Sequence, residues 1–110
     1  MNDEPRWPAP WVRAALELAI LGSLAPGPVH GYAVAQVLQE RGFGRLRGGS
    51  LYPALARLQE SGAIEATWVE GAAGPGRKDY RLTVEGRVRL DEGLAAWREL
   101  TDTLDTDDER

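Results

Sequence analysis

Residues Gly48 to Leu58 read GGSLYPALARL, and their types and spacing are the most chemically pointed in the chain. Leu51, Leu55 and Leu58 repeat at i, i+4, i+7 and so share one buried helical face. Ser50 suits an N-cap, its hydroxyl accepting from a first-turn N–H. Pro53 then falls inside the first turn, where a missing N–H costs little. Ser50, Tyr52 and Pro53 are left at the mouth of this helix, with Arg45 and Arg47 just before it in a glycine-rich turn. The chemistry on offer is hydrogen bonding to base edges and charge pairing with phosphate. A short helix docked by leucines, with polar and basic groups at its N-terminus, meets the needs of a major-groove reader. An ordinary capped core helix with a tyrosine beside it fits the same residues.

The neighbouring elements decide how such a helix is held. Trp11 to Leu24 reads as a mostly apolar helix, begun by Pro8 and Pro10 and stopped by Ala25-Pro26-Gly27-Pro28. It is apolar on most faces, more than a domain this small covers by itself, so a second subunit is a natural source of cover. His30 to Arg41 is a second helix, with Tyr32, Val34, Val37 and Leu38 as its apolar positions and Gly42 as its left-handed stop. The leucine-faced helix closes at Ser61-Gly62. The period then changes. Ile64–Glu70 and Arg77–Leu82 alternate as strands, joined by the glycine-rich Gly71 to Gly76. Thr83 caps a last helix running to about Leu104, with Glu85 well placed in its first turn. Along it, Leu90, Leu94, Trp97, Thr101 and Leu104 are spaced 4, 3, 4, 3, a short heptad-like seam.

The order helix, helix, helix, hairpin, helix is that of a winged helix-turn-helix, mainly α with a small β-hairpin, plus a C-terminal dimerisation helix. The boundaries are a flexible N-terminal segment (1–10), the winged domain (11–82), the dimerisation helix (83–104) and an acidic tail (105–110). In this arrangement the hairpin tip lies along the backbone or minor groove. Gly74, Pro75 and Gly76 keep the tip slim, and Arg77 and Lys78 carry charge to phosphate. A merely solvated hairpin is the plainer alternative.

Composition sets the outer limits. The chain has 110 residues, 43% of them hydrophobic, enough for one folded domain. No run approaches the roughly 20 apolar residues that span a bilayer, and MNDEPRWPAP has no basic and apolar leader pattern, so no membrane partner is expected. There are no cysteines and one histidine, which makes a metal site improbable and fits a reducing cytoplasm. The net charge of −4 looks unfavourable for nucleic acid, but its distribution is not. Arg41, Arg45, Arg47 and Arg57 occur with no acid among them, and Arg77, Lys78, Arg81, Arg87 and Arg89 face only Asp79 and Glu85. The acids gather from Glu99 onward, in a stretch that reads as a solubilising terminus. His30 has no cysteine partner and no carboxylate at a useful offset, and no glycine-rich phosphate loop follows a strand. No catalytic residue is therefore assigned, no cofactor is expected, and the chain is not expected to be an enzyme.

These residues together resemble the PadR family of bacterial transcriptional regulators. The resemblance runs from about Trp11 to about Leu100. Its pieces are the apolar first helix, His30-Gly31-Tyr32, Ser50-Leu51-Tyr52-Pro53-Ala54-Leu55 with Arg57-Leu58, Gly62 with Ile64, Gly76-Arg77-Lys78, Tyr80-Arg81-Leu82-Thr83 and Gly86. With one helix after the hairpin, the chain resembles the short subfamily. Asp79 stands where the family more often has an aromatic or neutral residue, which dilutes positive charge on the wing.

The resemblance implies a homodimeric repressor released from its operator by a ligand or stress signal. The first and last helices of such proteins build the dimer, which points to Leu16, Leu90, Leu94, Trp97 and Leu104. Two-fold symmetry implies a pseudo-palindromic operator in double-stranded DNA. The DNA-contacting set is then Arg45, Arg47, Ser50, Tyr52, Arg57, Arg77 and Lys78, with Arg57 equally able to pair with Glu60 or Glu65. His30 is expected to cap or pack the second helix. Multidrug-sensing members carry a tryptophan on the last helix, where flat aromatic molecules stack. Trp97 matches it and Trp11 can line the same region, which implies a planar aromatic effector; filling the dimer seam is the alternative role for Trp97. A different class of function, a winged-helix protein–protein adaptor that does not touch DNA, is favoured by the net charge and opposed by the segregated arginines.

Overall fold

The computed structural model describes residues 3–46 and 48–105. Helix α1 (Ala9–Leu24) starts where the two prolines place it, with Pro8 at the N-cap position and Pro10 in the first turn. Strand β1 (Val29–His30) follows, then α2 (Gly31–Leu38), a wide π-type turn over Gln39–Phe43, and α3 (Gly48–Glu60). Strands β2 (Ile64–Val69) and β3 (Arg77–Leu82) form the hairpin, and α4 (Val84–Leu104) is the last element. The architecture is mostly helical with a three-stranded antiparallel sheet in the order β1-β3-β2. Among the described residues, no helix is long and apolar enough to cross a membrane.

The local chemistry accounts for most of these bounds. The His30 imidazole accepts from the Ala33 N–H at 3.3 Å and caps α2. Gly42, at φ 99°, turns the chain out of the wide turn. Thr83 caps α4, its hydroxyl oxygen accepting from the Gly86 N–H at 3.0 Å. Strands β2 and β3 run in register from Ile64 opposite Leu82 to Val69 opposite Arg77. The short β1 pairs Val29 with Tyr80 and His30 with Asp79. It escapes a sequence reading because two residues carry no period.

Two expectations about the third helix need correction. It begins at Gly48, so Ser50 is its third residue and not its N-cap. Pro53 consequently lies inside the helix and not in its first turn. A proline there removes one i→i−4 bond and presses its ring on the carbonyl four residues back. That residue is Gly49. Tyr32, read as an apolar position of the second helix, is exposed.

The core is one cluster. It joins Leu16, Ile20, Leu21 and Leu24 of α1 with Val34 and Leu38 of α2, the Leu51, Ala54, Leu55 and Leu58 stripe of α3, and Ile64, Tyr80 and Leu90. Each large aliphatic here contributes about 1.5–3 kcal/mol of transfer free energy. The leucine repeat thus clamps α3 onto α1 and fixes which side of it faces outward. Leu16 and Leu90, assigned to a dimer interface, are spent in this core, at 8% and 4% exposure. Leu94, Trp97, Leu100 and Leu104 are exposed. The molecule is long, 62 × 33 × 21 Å, because only the first half of the 21-residue α4 rests on the core.

Of the N-terminal segment 1–10, expected to be flexible, residues 9 and 10 are already helical. Residues 3–8 lie along the turn between α2 and α3.

Candidate nucleic-acid interface

Helix α3 buries its leucines and turns Ser50, Tyr52, Pro53 and Ala56 outward. Tyr52 is half exposed, and its ring lies over the start of α2. A Cβ added to Gly31 would stand 3.3 Å from Tyr52 Cε1 and 3.6 Å from Tyr80 Cε2. Glycine at 31 therefore lets the two tyrosines close over the helix start. Arg45, Leu46, Leu51 and Tyr52 share a groove with Tyr32 and Gln36 of α2 and with Gln39 of the turn that follows it. Tyr32 and Gln36 are exposed there and carry hydroxyl and amide groups suited to base edges or phosphate. They were not singled out from sequence, because an exposed face of a supporting helix has no distinctive pattern. Arg47 lies outside the described residues, as do tail residues 106–110.

The described cations assigned to DNA from the sequence divide into two groups, Arg57 and Arg77 in ion pairs and Arg45 and Lys78 in none among the described residues. Arg57 donates from Nε to Glu17 Oε2 at 2.9 Å, so it pairs neither with Glu60 nor with Glu65. The same carboxylate accepts from Arg89 at 2.7 Å, which ties α3 and α4 to α1 through Glu17. Arg77 pairs with Asp79 at 3.0 Å, and Arg81 with Glu65 at 2.5 Å. The dilution expected from Asp79 is thus a direct pairing. Arg45 and Lys78, by contrast, are exposed and belong to no ion pair among the described residues. On the hairpin, Lys78 stands opposite Trp68, so both project from the same face. Trp68 is exposed, a wing residue that alternation alone did not flag.

The Glu17 node makes a measurable contribution. Exposed pairs are each worth about 0.2–1 kcal/mol. Glu17→Gln should therefore lower stability by about 1 kcal/mol, or about 4–8 °C in thermal midpoint for a domain of this size. The difference should shrink in high salt. An unchanged midpoint in differential scanning calorimetry at low salt would remove the node from the account.

Tyr80 titrates abnormally. Burial raises its pKa above the ordinary 10.0, and the neighbouring Tyr52 adds to the shift. The folded state thus holds the phenolic proton more tightly than the unfolded chain does. Stability from this group is complete below pH 10.0 and drains away as pH rises from there through the raised value. Tyr80→Phe should flatten that alkaline loss, as read from urea midpoints between pH 9 and 11. Parallel profiles for both proteins would contradict it.

The groups proposed for ligand also converge. Trp97 of α4 and Trp11 of α1 line a cavity of about 270 Å³ with Trp7, Val12, Ala15 and Phe43. Trp7 meets Phe43 edge-on, their ring centroids 5.8 Å apart. Beside it, a larger apolar groove runs between α1 and α4, past Leu18, Ala19, Leu38, Leu90, Leu94 and Trp97.

A three-helix core with α3 presented outward, followed by a two-stranded wing, defines a winged helix-turn-helix protein. The PadR-like transcriptional regulator family model matches residues 20–92, and the chain belongs to that family. It is 41% identical over 90 residues to the transcriptional regulator Rv3488 of Mycobacterium tuberculosis, the match covering 80% of each. The crystal structure of a PadR family transcriptional regulator from Eggerthella lenta superposes with a TM-score of 0.79 and 33% identity, over 86% of this chain and 82% of that one. Bacillus subtilis PadR, solved in complex with operator DNA, superposes with a TM-score of 0.65 and 30% identity. There the match spans 72% of this chain but 46% of the PadR chain.

Proposed function

We propose that this chain is a sequence-specific, DNA-binding repressor in the cytoplasm, acting as a homodimer and released from its operator by a planar aromatic molecule. The observation that carries the DNA reading is the sorting of charge. Arg57, Arg77, Arg81 and Arg89 are held by carboxylates. Arg45, at the approach to α3, and Lys78, on the wing, belong to no ion pair among the described residues. An unpaired cation at each of the two elements that flank a reading helix is what phosphate contacts require. Tyr52, Ser50, Tyr32 and Gln36 then supply the groups that meet bases or sugar. The resemblance to a protein solved on operator DNA supports the same placement.

A second copy is supported by α4. Its outer turns expose Leu94, Trp97, Leu100 and Leu104, the last at 71%. A helix stripe of this kind is stable in water when another apolar surface covers it. The adjoining α1–α4 groove offers such a surface. Two-fold packing there sets two copies of α3 for successive major-groove faces of one duplex. The effector reading rests on the aromatic cavity. Trp7, Trp11 and Trp97 present planar apolar faces, which select flat molecules by stacking.

Selection from a random duplex pool tests the function as a whole. The expected product is an inverted repeat with half-sites about one helical turn apart. Recovery of no sequence, or of a single unrepeated half-site, would contradict it. For the effector, tryptophan emission should quench on titration with planar dyes, and Trp97→Ala should lose most of that response. A panel of dyes without quenching would retire the aromatic effector and leave Trp97 as seam packing.

A further inference from the structure

The segment before α1 touches the region that the DNA reading most depends on. The Arg45 N–H donates to the Asp3 carbonyl at 2.9 Å, and the Arg6 N–H donates to the Gly42 carbonyl at 2.8 Å. The Gln39 side-chain amide donates to Asp3 Oδ1 at 3.1 Å. Two glycines in the left-handed region lie directly under this segment. A Cβ on Gly44, at φ 78°, would stand 2.7 Å from the Pro5 nitrogen, and one on Gly42 would stand 2.6 Å from Arg6 Cδ. The segment and the turn are therefore packed backbone on backbone. Trp7 completes the contact through its edge-on meeting with Phe43, while the Arg6 guanidinium sits 5.2 Å from the Trp7 ring centre.

The α2–α3 turn needs such support. From Gly44 to Leu46 it belongs to no regular element. It also carries Arg45, whose main-chain N–H is held by the Asp3 carbonyl. A backbone left without partners would let Arg45 and the first turn of α3 wander, and a reader held an ångström out of place loses most of its contacts.

We infer that Asp3–Trp7 is a positioning strap for DNA recognition, pinning the α2–α3 turn so that Arg45 and the start of α3 are set before the duplex arrives. This rests on the DNA-binding reading of the preceding section. The strap's Trp7 is also a wall of the aromatic cavity. A molecule seated against Trp11 and Trp97 therefore touches the same side chain that anchors the strap to Phe43, which gives the cavity a physical route to the reading helix.

The test uses the full chain and a duplex selected with the wild-type protein. Trp7→Ala removes the anchor, and Trp7→Phe keeps a ring there. Arg6→Pro removes the N–H that bonds Gly42, and Arg6→Ala removes the charge while keeping that N–H. Trp7→Ala and Arg6→Pro should each weaken binding about fivefold, the size expected for one lost hydrogen bond or aromatic contact. Both should also speed amide exchange at Arg45, with the thermal midpoint nearly unchanged, because no strap residue lies in the core. Trp7→Phe and Arg6→Ala should bind like the wild type. Wild-type affinity in Trp7→Ala and Arg6→Pro, or losses that follow the thermal midpoint across all four variants, would overturn the strap. A wild-type protein that retains no duplex at low salt would instead overturn the DNA-binding reading itself.

Discussion

Gly86→Ala should cost the domain about 3 kcal/mol or more, the upper range for forcing an extra methyl into a filled space. The methyl would arrive 1.9 Å from the Ala63 carbonyl oxygen and 3.1 Å from Leu82 Cδ2. Nothing nearby yields easily. The Ala63 carbonyl is held by the Thr83 N–H at 3.1 Å, and the Thr83 hydroxyl donates to the Gly62 carbonyl at 2.5 Å. Gly62 itself is in the left-handed region, at φ 84°. The first turn of α4 is thus locked against the loop between α3 and β2. To admit a methyl, α4 must lift, and Leu90 then leaves the core. Marginal domains have about 5–15 kcal/mol in total, so a fall of about 12 °C or more in thermal midpoint is expected. Gly74→Ala, at the wing tip with nothing within 4 Å, is the matched control and should be close to neutral. A Gly86→Ala protein that melts with the wild type would mean that α4 does not dock as described.

The second large effect falls on affinity. Removing Arg45 and Lys78 together, as R45A/K78A, should weaken DNA binding uniformly across sequences. It should also make the salt dependence shallower by about 0.9 per lost phosphate contact, hence by nearly 4 for a dimer that loses four. Folding should be unaffected, since both side chains are exposed and outside the ion pairs. Arg57→Ala and Arg77→Ala remove cations already compensated by Glu17 and Asp79. Their slopes should move much less. Tyr52→Ala should behave differently again, altering which sequences are preferred more than the slope. Equal slope changes at all four cations would show that the pairing has no bearing on the interface.

The parts legible in the sequence are those governed by local rules. Prolines set the start of α1, Thr83 capped α4, alternation marked β2 and β3, and the i, i+4, i+7 leucines identified the buried face of α3. The family was legible from the order of short motifs. What escaped was set by partners distant in the chain. Glu17 reaches Arg57 across 40 residues and Arg89 across 72, and no spacing rule connects them. β1 exists because β3 is beside it. The glycine pair Gly48-Gly49 reads as a helix breaker by propensity, yet the packing of Leu51 and Ala54 carries the helix back through it. Leu16 and Leu90 fit an interface seam by period, and their burial depends on where α1 and α4 cross. The strap was hidden for the same reason. A run of prolines and charges has no period, and only the turn it meets gives it a role.

The most direct measurement is the affinity of the purified chain for its selected duplex, followed from low to high salt with the number of protomers bound. Two protomers per duplex and a steep linear fall of log affinity with log salt are predicted. A single protomer per duplex, or an affinity indifferent to salt, would contradict a paired, charge-guided reader.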